Sequence, residues 1–239
     1  MRAYGNISAA SNEVHVWWVE LVRPEREVED LLSLLSLDER ERAARFRFAG
    51  HRDRFTVARG TLRRVLGHYA GVSPESVRFE YGANGKPSLP DSEIRFNLSH
   101  SGDIAMIGIT RSREIGVDVE RMRQDKDLLD IAERFFAPRE REALRDLSEE
   151  EQRDGFFRCW TRKEAYLKAL GAGLSLNLHG FVVSLAPGEP AALLDSEQGA
   201  AEAARWSLVA LEPHPDYAAA VAVEGASGEV RELREELGA

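Results

Sequence analysis

Asp118 and Glu120, in the segment IGVDVE (115–120), have the plainest chemical potential in this chain. On an extended strand, positions two apart project to the same side, so the two carboxylates share a face while Val117 and Val119 take the other. Two hard oxygen donors on one face suit a divalent cation such as Mg2+, which keeps several waters and needs few protein carboxylates beside a substrate phosphate. An edge strand with one solvated acidic face would carry the same alternation. A second group lies in FFRCWTRKEAYLKALGAGL (156–174), where Trp160, Glu164 and Lys168 are four apart and share one helix face. A surface ion pair has this spacing too, but Trp160 on the same stripe argues against a fully solvated face. If Glu164 approaches Asp118 and Glu120, three carboxylates converge, which is costly unless a metal or a cationic neighbour compensates.

A third group spans GANGKPSLP and IRFNLSHSG, between residues 82 and 102. The glycine-rich turn ending in Lys86 and Pro87 offers backbone N–H groups near an ammonium, which suits a phosphate or a nucleotide edge. Ser99 and His100 follow at the end of a strand. No Gly-x-Ser-x-Gly elbow surrounds Ser99, so it does not read as a nucleophile. Neither a GxxxxGK[ST] loop nor a GxGxxG turn is present, which weakens NTPase and dinucleotide-binding readings. Only four of the 32 basic residues are lysines, and Lys86, Lys163 and Lys168 fall within these segments. A lysine, unlike an arginine, is a compact charge that can release its proton.

These groups need elements to hold them. The 239 residues, 43% of them apolar, are enough for one large domain or two small ones. Strands are expected at 14–22, 77–81, 94–99, 104–110, 115–120, 181–185, 206–211 and 217–223. Helices are expected at 24–35, 36–46, 51–66, 138–147 and 148–170, with a charged helical tail after residue 229. Aligning the two long helices at Gly67 and Gly171 sets ARGTLRRVLG over RKEAYLKALG, and LSHSGDIA then falls over LEPHPDYA after an insertion around 186–204. This weak repeat predicts two α+β halves related by a pseudo-twofold, with a cleft between them suited to a ligand. The net charge of −9 disfavours a general nucleic-acid binder. No segment approaches the roughly 18 apolar residues of a membrane span. The start lacks the apolar core of a secretion signal, and the lone Cys159 suits a reducing compartment, so a cytoplasmic protein is expected.

Taken in order, GKP, FNLSHSG, GVDVE and WTRKEAYLKALGAGL resemble the motifs of the 4'-phosphopantetheinyl transferase superfamily, in its two-halved Sfp type. The resemblance runs from about Ser36 to Leu176 and, more loosely, to Val223. It implies a duplicated α+β fold of antiparallel sheets packed with helices. The first subdomain would span residues 1–112 and bind the coenzyme A nucleotide. The second, 113–239, would carry the metal and catalytic residues. The implied reaction transfers the phosphopantetheine arm of coenzyme A to a serine of an apo acyl, peptidyl or aryl carrier protein, releasing adenosine 3',5'-bisphosphate from a monomeric pseudodimer.

By the same resemblance, Asp118, Glu120 and Glu164 gather Mg2+, Glu164 acts as the base, and Lys168 offsets phosphate charge. Lys86 and Pro87 would lie by the adenine, Asn97, Ser99 and His100 near the nucleotide phosphates, Arg42 on the 3'-phosphate, and Lys163 near phosphate. Glu39 stands where the family often has a second basic residue, leaving Arg40, Arg45, Arg54 or Arg59 as substitutes. Carrier docking would fall to a local patch such as Arg121 and Arg123. Two rival readings remain: a metal-dependent phosphodiesterase or nuclease, and a non-catalytic coenzyme A or carrier-protein binding module.

Overall fold

Each central strand is built to be covered on both faces. The computed structural model describes residues 9–123, 127–171 and 177–234. The first half runs β1 (Glu13–Glu20), α1 (Glu25–Ser33), α2 (Leu37–Ala44), α3 (Ala49–Ala70), a short β2 (Glu80–Tyr81) and β3 (Pro87–Ser88) pair, β4 (Ile94–Ser101) and β5 (Ile104–Arg111). The second runs β6 (Ile115–Arg121), α4 (Leu128–Phe135), α5 (Pro138–Arg145), α6 (Glu149–Leu170), β7 (Phe181–Val183), β8 (Leu193–Ser196), α7 (Ala200–Arg205), β9 (Trp206–Leu211) and β10 (Tyr217–Glu224). β11 (Glu229–Arg234) closes the chain. One sheet has the order β11-β1-β5-β4, and the other β6-β10-β9.

The period-2 alternation of the strands assigns their two faces to different cores. In the first sheet Trp17, Val19, Ile107 and Ile109 pack with Val57, Leu62 and Leu66 of α3. The opposite faces, Val14, Val16 and Met106 from one sheet and Val117, Val119 and Val221 from the other, form a shared middle layer. On the far side, Ala220 and Ala222 pack with Tyr166, Ala165 and Ala169 of α6. The result is an α-β-β-α sandwich.

The repeat is real, but its register differs from the expected one. α3 and α6 each have 22 residues and end on a left-handed glycine, Gly71 at φ 69° and Gly171 at φ 63°. Gly71, not Gly67, is therefore the partner of Gly171. Gly67 lies inside α3, where a Cβ would come within 2.8 Å of the Val72 carbonyl oxygen, so it marks tight packing rather than a helix end. Matching bonds support the strand alignment: the Leu21 N–H donates to Asp103 O at 2.8 Å, and the Met122 N–H to Asp216 O at 2.7 Å.

The corrected register pairs Arg63 with Lys163, and the two do the same work. Glu39 and Glu140 each sit three residues into a short helix and accept the N–H of its cap residue, Ser36 and Ala137. Arg63 meets Glu39 at 2.5 Å and binds the Pro74 and Val77 carbonyls. Lys163 meets Glu140 at 2.8 Å and binds the Leu178 and Phe181 carbonyls. In each half a buried ion pair thus ties short helix, long helix and the following segment together. Lys163, expected near phosphate, is 0% exposed and fully engaged in this staple.

The described part of the tail expected to be helical is instead β11, paired in parallel with β1 from Glu13↔Glu229 to Trp18↔Arg234; residues 235–239 lie outside the described residues. An open strand edge outweighs the helix-forming composition of this segment. β11 therefore belongs to the first sheet, although it follows the residue 112/113 boundary. The expected strand 77–81 shrinks to β2 because Arg63 holds the Val77 carbonyl. β8 and α7 fall in the insertion expected within the second half around 186–204, and β7 lies just before it.

Two stability outcomes follow. Lys163→Met strands the buried Glu140 carboxylate and should cost about 3–5 kcal/mol in urea unfolding; a phosphate ligand at this position would instead lose coenzyme A affinity with stability intact. Gly116→Ala would place a Cβ 2.0 Å from the Ala165 carbonyl oxygen, and displacement of α6 from β6 should lower stability by about 1–3 kcal/mol or more in the same measurement.

Candidate active site

Gly116 lets the backbone of α6 lie directly on β6, because a side chain there would meet Ala165 and Ala169. The residues two and four further along, Asp118 and Glu120, face the same helix: Lys168 meets Asp118, and Glu164 lies within electrostatic reach of both acids. Lys168 Nζ donates to Asp118 Oδ1 at 2.5 Å and to Ser99 Oγ at 2.9 Å, while Ser99 Oγ donates to Asp118 Oδ1 at 2.9 Å. Ser101 Oγ donates to Glu120 Oε2 at 2.6 Å.

The cluster is short of positive charge. Burial, then the neighbouring Asp118 carboxylate, pushes Glu164 above its usual range, with Lys168 opposing. Burial is also the main cause of the upward shift of Glu120, with Asp118 adding to it against the Ser101 hydrogen bond. Asp118 is 2% exposed, and its Oδ2 is buried with no hydrogen-bond partner. An orphaned carboxylate oxygen beside two carboxyls that resist ionisation is what a hard cation would satisfy. Among the described residues, no three His, Cys, Asp or Glu side chains form a ready ligand set. A cation here would draw further oxygens from water or substrate, which suits Mg2+.

Other residues singled out by motif divide into two sets. His100 reaches solvent at the end of β4, and partial loss of hydration around its ring, then the charges of Lys168 and Arg42, lower its pKa. Arg42 therefore lies within electrostatic reach of the site, its guanidinium 5.2 Å from the Phe55 ring centre. Arg40, Arg54 and Arg59 are engaged by backbone carbonyls, Asp103 and Glu39 respectively, which leaves Arg45 as the remaining substitute. The residue at the unexpected position, Glu39, is the acid of the first staple.

Lys86 and Asn97 hold the frame. Lys86 Nζ binds Glu114 at 2.8 Å, the Ile115 carbonyl at 3.2 Å and the Ala169 carbonyl at 2.7 Å. It thus caps the C-terminal end of α6, where a cation is favoured. Pro87 lines a cavity of about 700 Å³ with Arg95, Leu170 and Gly171. Asn97 is buried, and its Oδ1 accepts the Val117 N–H at 2.9 Å. Ser101 was missed by motif reasoning; the alternation Asn97, Ser99, Ser101, matching Val117, Val119, Arg121, is the signal that could have found it. Residues 172–174 of the last motif lie outside the described residues.

Comparison with known proteins gives the family. The 4'-phosphopantetheinyl transferase superfamily model matches residues 114–222, and a 4'-phosphopantetheinyl transferase N-terminal model matches 23–111. The chain is 46% identical over 224 residues to 4'-phosphopantetheinyl transferase HetI of Nostoc sp., covering 92% of this chain and 91% of that protein. It is 40% identical over 150 residues to the putative 4'-phosphopantetheinyl transferase slr0495 of Synechocystis sp., covering 62% and 61%. Against 4'-phosphopantetheinyl transferase Sfp of Bacillus subtilis it is 32% identical over 173 residues, covering 71% and 76%. With both halves matched and the acid–lysine cluster assembled on the seam, the chain belongs to the 4'-phosphopantetheinyl transferase superfamily.

Proposed function

We propose that this transferase moves the phosphopantetheine arm of coenzyme A onto a serine hydroxyl of an apo carrier protein, with Mg2+, releasing adenosine 3',5'-bisphosphate. The observation that carries this reading is the buried Asp118 carboxylate: one oxygen is held by Lys168 and Ser99, and the other is without a partner. Asp118, Glu120 and Glu164 would hold the metal. Bound there, Mg2+ supplies charge neutralisation for a pyrophosphate.

Glu164 is the base. It takes the serine proton directly or through a water, from a position on the same helix face as Lys168. The serine oxygen forms its bond to the phosphorus bearing the pantetheine arm as the bond to the bridging oxygen breaks. Lys168 offsets the negative charge left on the departing bisphosphate. His100, with its lowered pKa, is neutral near pH 7 and offers one ring N–H to the nucleotide phosphates. Arg42 and Arg45 serve the 3'-phosphate, and the cavity beside Pro87 serves the adenine end. Lys86, Asn97 and Lys163 act through the frame.

Carrier proteins are acidic and this chain is too, at −9, so docking depends on local cations such as Arg121 and Arg123 beside the cluster. We also infer a monomeric, cytoplasmic enzyme, since one chain contains both halves and Cys159 is a free thiol. No helix among the described residues is long and apolar enough to cross a membrane.

Incubation with apo carrier proteins, coenzyme A and Mg2+ should add the mass of one phosphopantetheine arm to a carrier. EDTA should abolish the gain and excess Mg2+ restore it. No gain across acyl, peptidyl and aryl carriers, or hydrolysis of DNA instead, would remove the transferase reading. Glu164→Gln should lower kcat by about 10²–10⁴-fold with a smaller change in coenzyme A binding; weakened binding at full turnover would make Glu164 a ligand contact.

A further inference from the structure

We infer that Ser101, which the motif reading leaves unassigned, is a positioning residue that aims Glu120 at the metal; this rests on the magnesium reading above. The Ser101 hydroxyl makes two bonds across the seam. It accepts the Arg121 N–H at 3.1 Å and donates to Glu120 Oε2 at 2.6 Å. A hydroxyl has one proton, and the backbone N–H already occupies an acceptor position of this oxygen. The proton is therefore left for the carboxylate, and the rotor is held in one orientation.

Ser99 makes the same two bonds one strand period earlier, accepting the Val119 N–H at 3.4 Å and donating to Asp118 at 2.9 Å. Both carboxylates of β6 that face α6 are thus aimed by hydroxyls from the other half of the chain. The two serines differ in one respect. Ser99 also accepts from Lys168, so its loss would disturb the ammonium together with Asp118. Among the described residues, the Ser101 side chain bonds only Glu120 and Arg121. Its removal isolates the aiming of one carboxylate and leaves Lys168 and Asp118 in place. Partners that orient metal ligands typically change metal affinity by 10–100-fold.

The test is a titration of Mn2+ into enzyme saturated with coenzyme A, followed by the electron paramagnetic resonance signal of free Mn2+. Wild type, Ser101→Ala and Ser101→Thr are compared, with thermal melting of the same samples. Ser101→Ala should bind Mn2+ about 10–100-fold more weakly. Its kcat should return toward wild type at high Mg2+, and Ser101→Thr should recover most of the lost affinity by restoring the hydroxyl. Unchanged Mn2+ affinity in Ser101→Ala, or a loss that threonine fails to repair while the fold is retained, would overturn the positioning role. A wild type that transfers the arm yet binds no Mn2+ would overturn the metal reading and this inference with it.

Discussion

The free edge of β6 is the constraint on which this molecule turns. β6 pairs with β10 on one side only, which leaves the N–H groups of Val117, Val119 and Arg121 and the carbonyl of Ile115 pointing away from their own sheet. An unpaired edge at the centre of a protein must be satisfied. Here side chains from the other half satisfy it: Asn97, Ser99 and Ser101 accept the three N–H groups, and Lys86 donates to the Ile115 carbonyl. The halves are joined by a ladder in which one rail is backbone and the other is side chain. The serines of that ladder also bond Asp118 and Glu120, so the structural joint and the chemical site are one set of atoms.

That coupling accounts for the electrostatics. Three carboxylates would repel one another out of a loosely packed cleft. They stay together because β6 is anchored through Gly116 against α6 on one face and through the ladder along its edge, while the Lys168 ammonium donates to Asp118. Burial raises the carboxyl pKa values of Glu120 and Glu164 in advance of any ligand. Beside them, Asp118 keeps one buried oxygen, Oδ2, without a hydrogen-bond partner.

Much of this was legible in the sequence because it depends on local periodicity. Asp118 and Glu120 are two apart on a strand and Glu164 and Lys168 four apart on a helix, and the structure brings Lys168 onto Asp118 and Glu164 within electrostatic reach of both acids. The cap at Ser148 and the left-handed Gly171 likewise bound α6 as expected. What was not legible depends on pairing across long separations. Gly67 looks like a helix end until Gly71 is seen in the left-handed region, and a one-turn error in the repeat then hides the match between Arg63 and Lys163. Lys163 and Lys86 sit within motif segments, yet their ammonium groups are engaged by backbone carbonyls and by the buried Glu140 and the partly exposed Glu114 respectively. The tail has a helical composition, and only the open edge of β1 makes it a strand.

The corrected register also shows what the first half has at the positions of the two acids of β6. Leu21 and Met122 make matching bonds, so Trp17 and Val19 occupy the places of Asp118 and Glu120. Trp17 is buried against α3, its Nε1 donating to the Tyr69 hydroxyl at 3.1 Å. The mirror-image pocket is thus plugged with hydrocarbon and indole, and the neighbouring edge of β1 is sealed by β11. A duplicated scaffold has in this way become one-sided: the acid–lysine cluster is built on one flank, and its counterpart on the other is filled by core side chains.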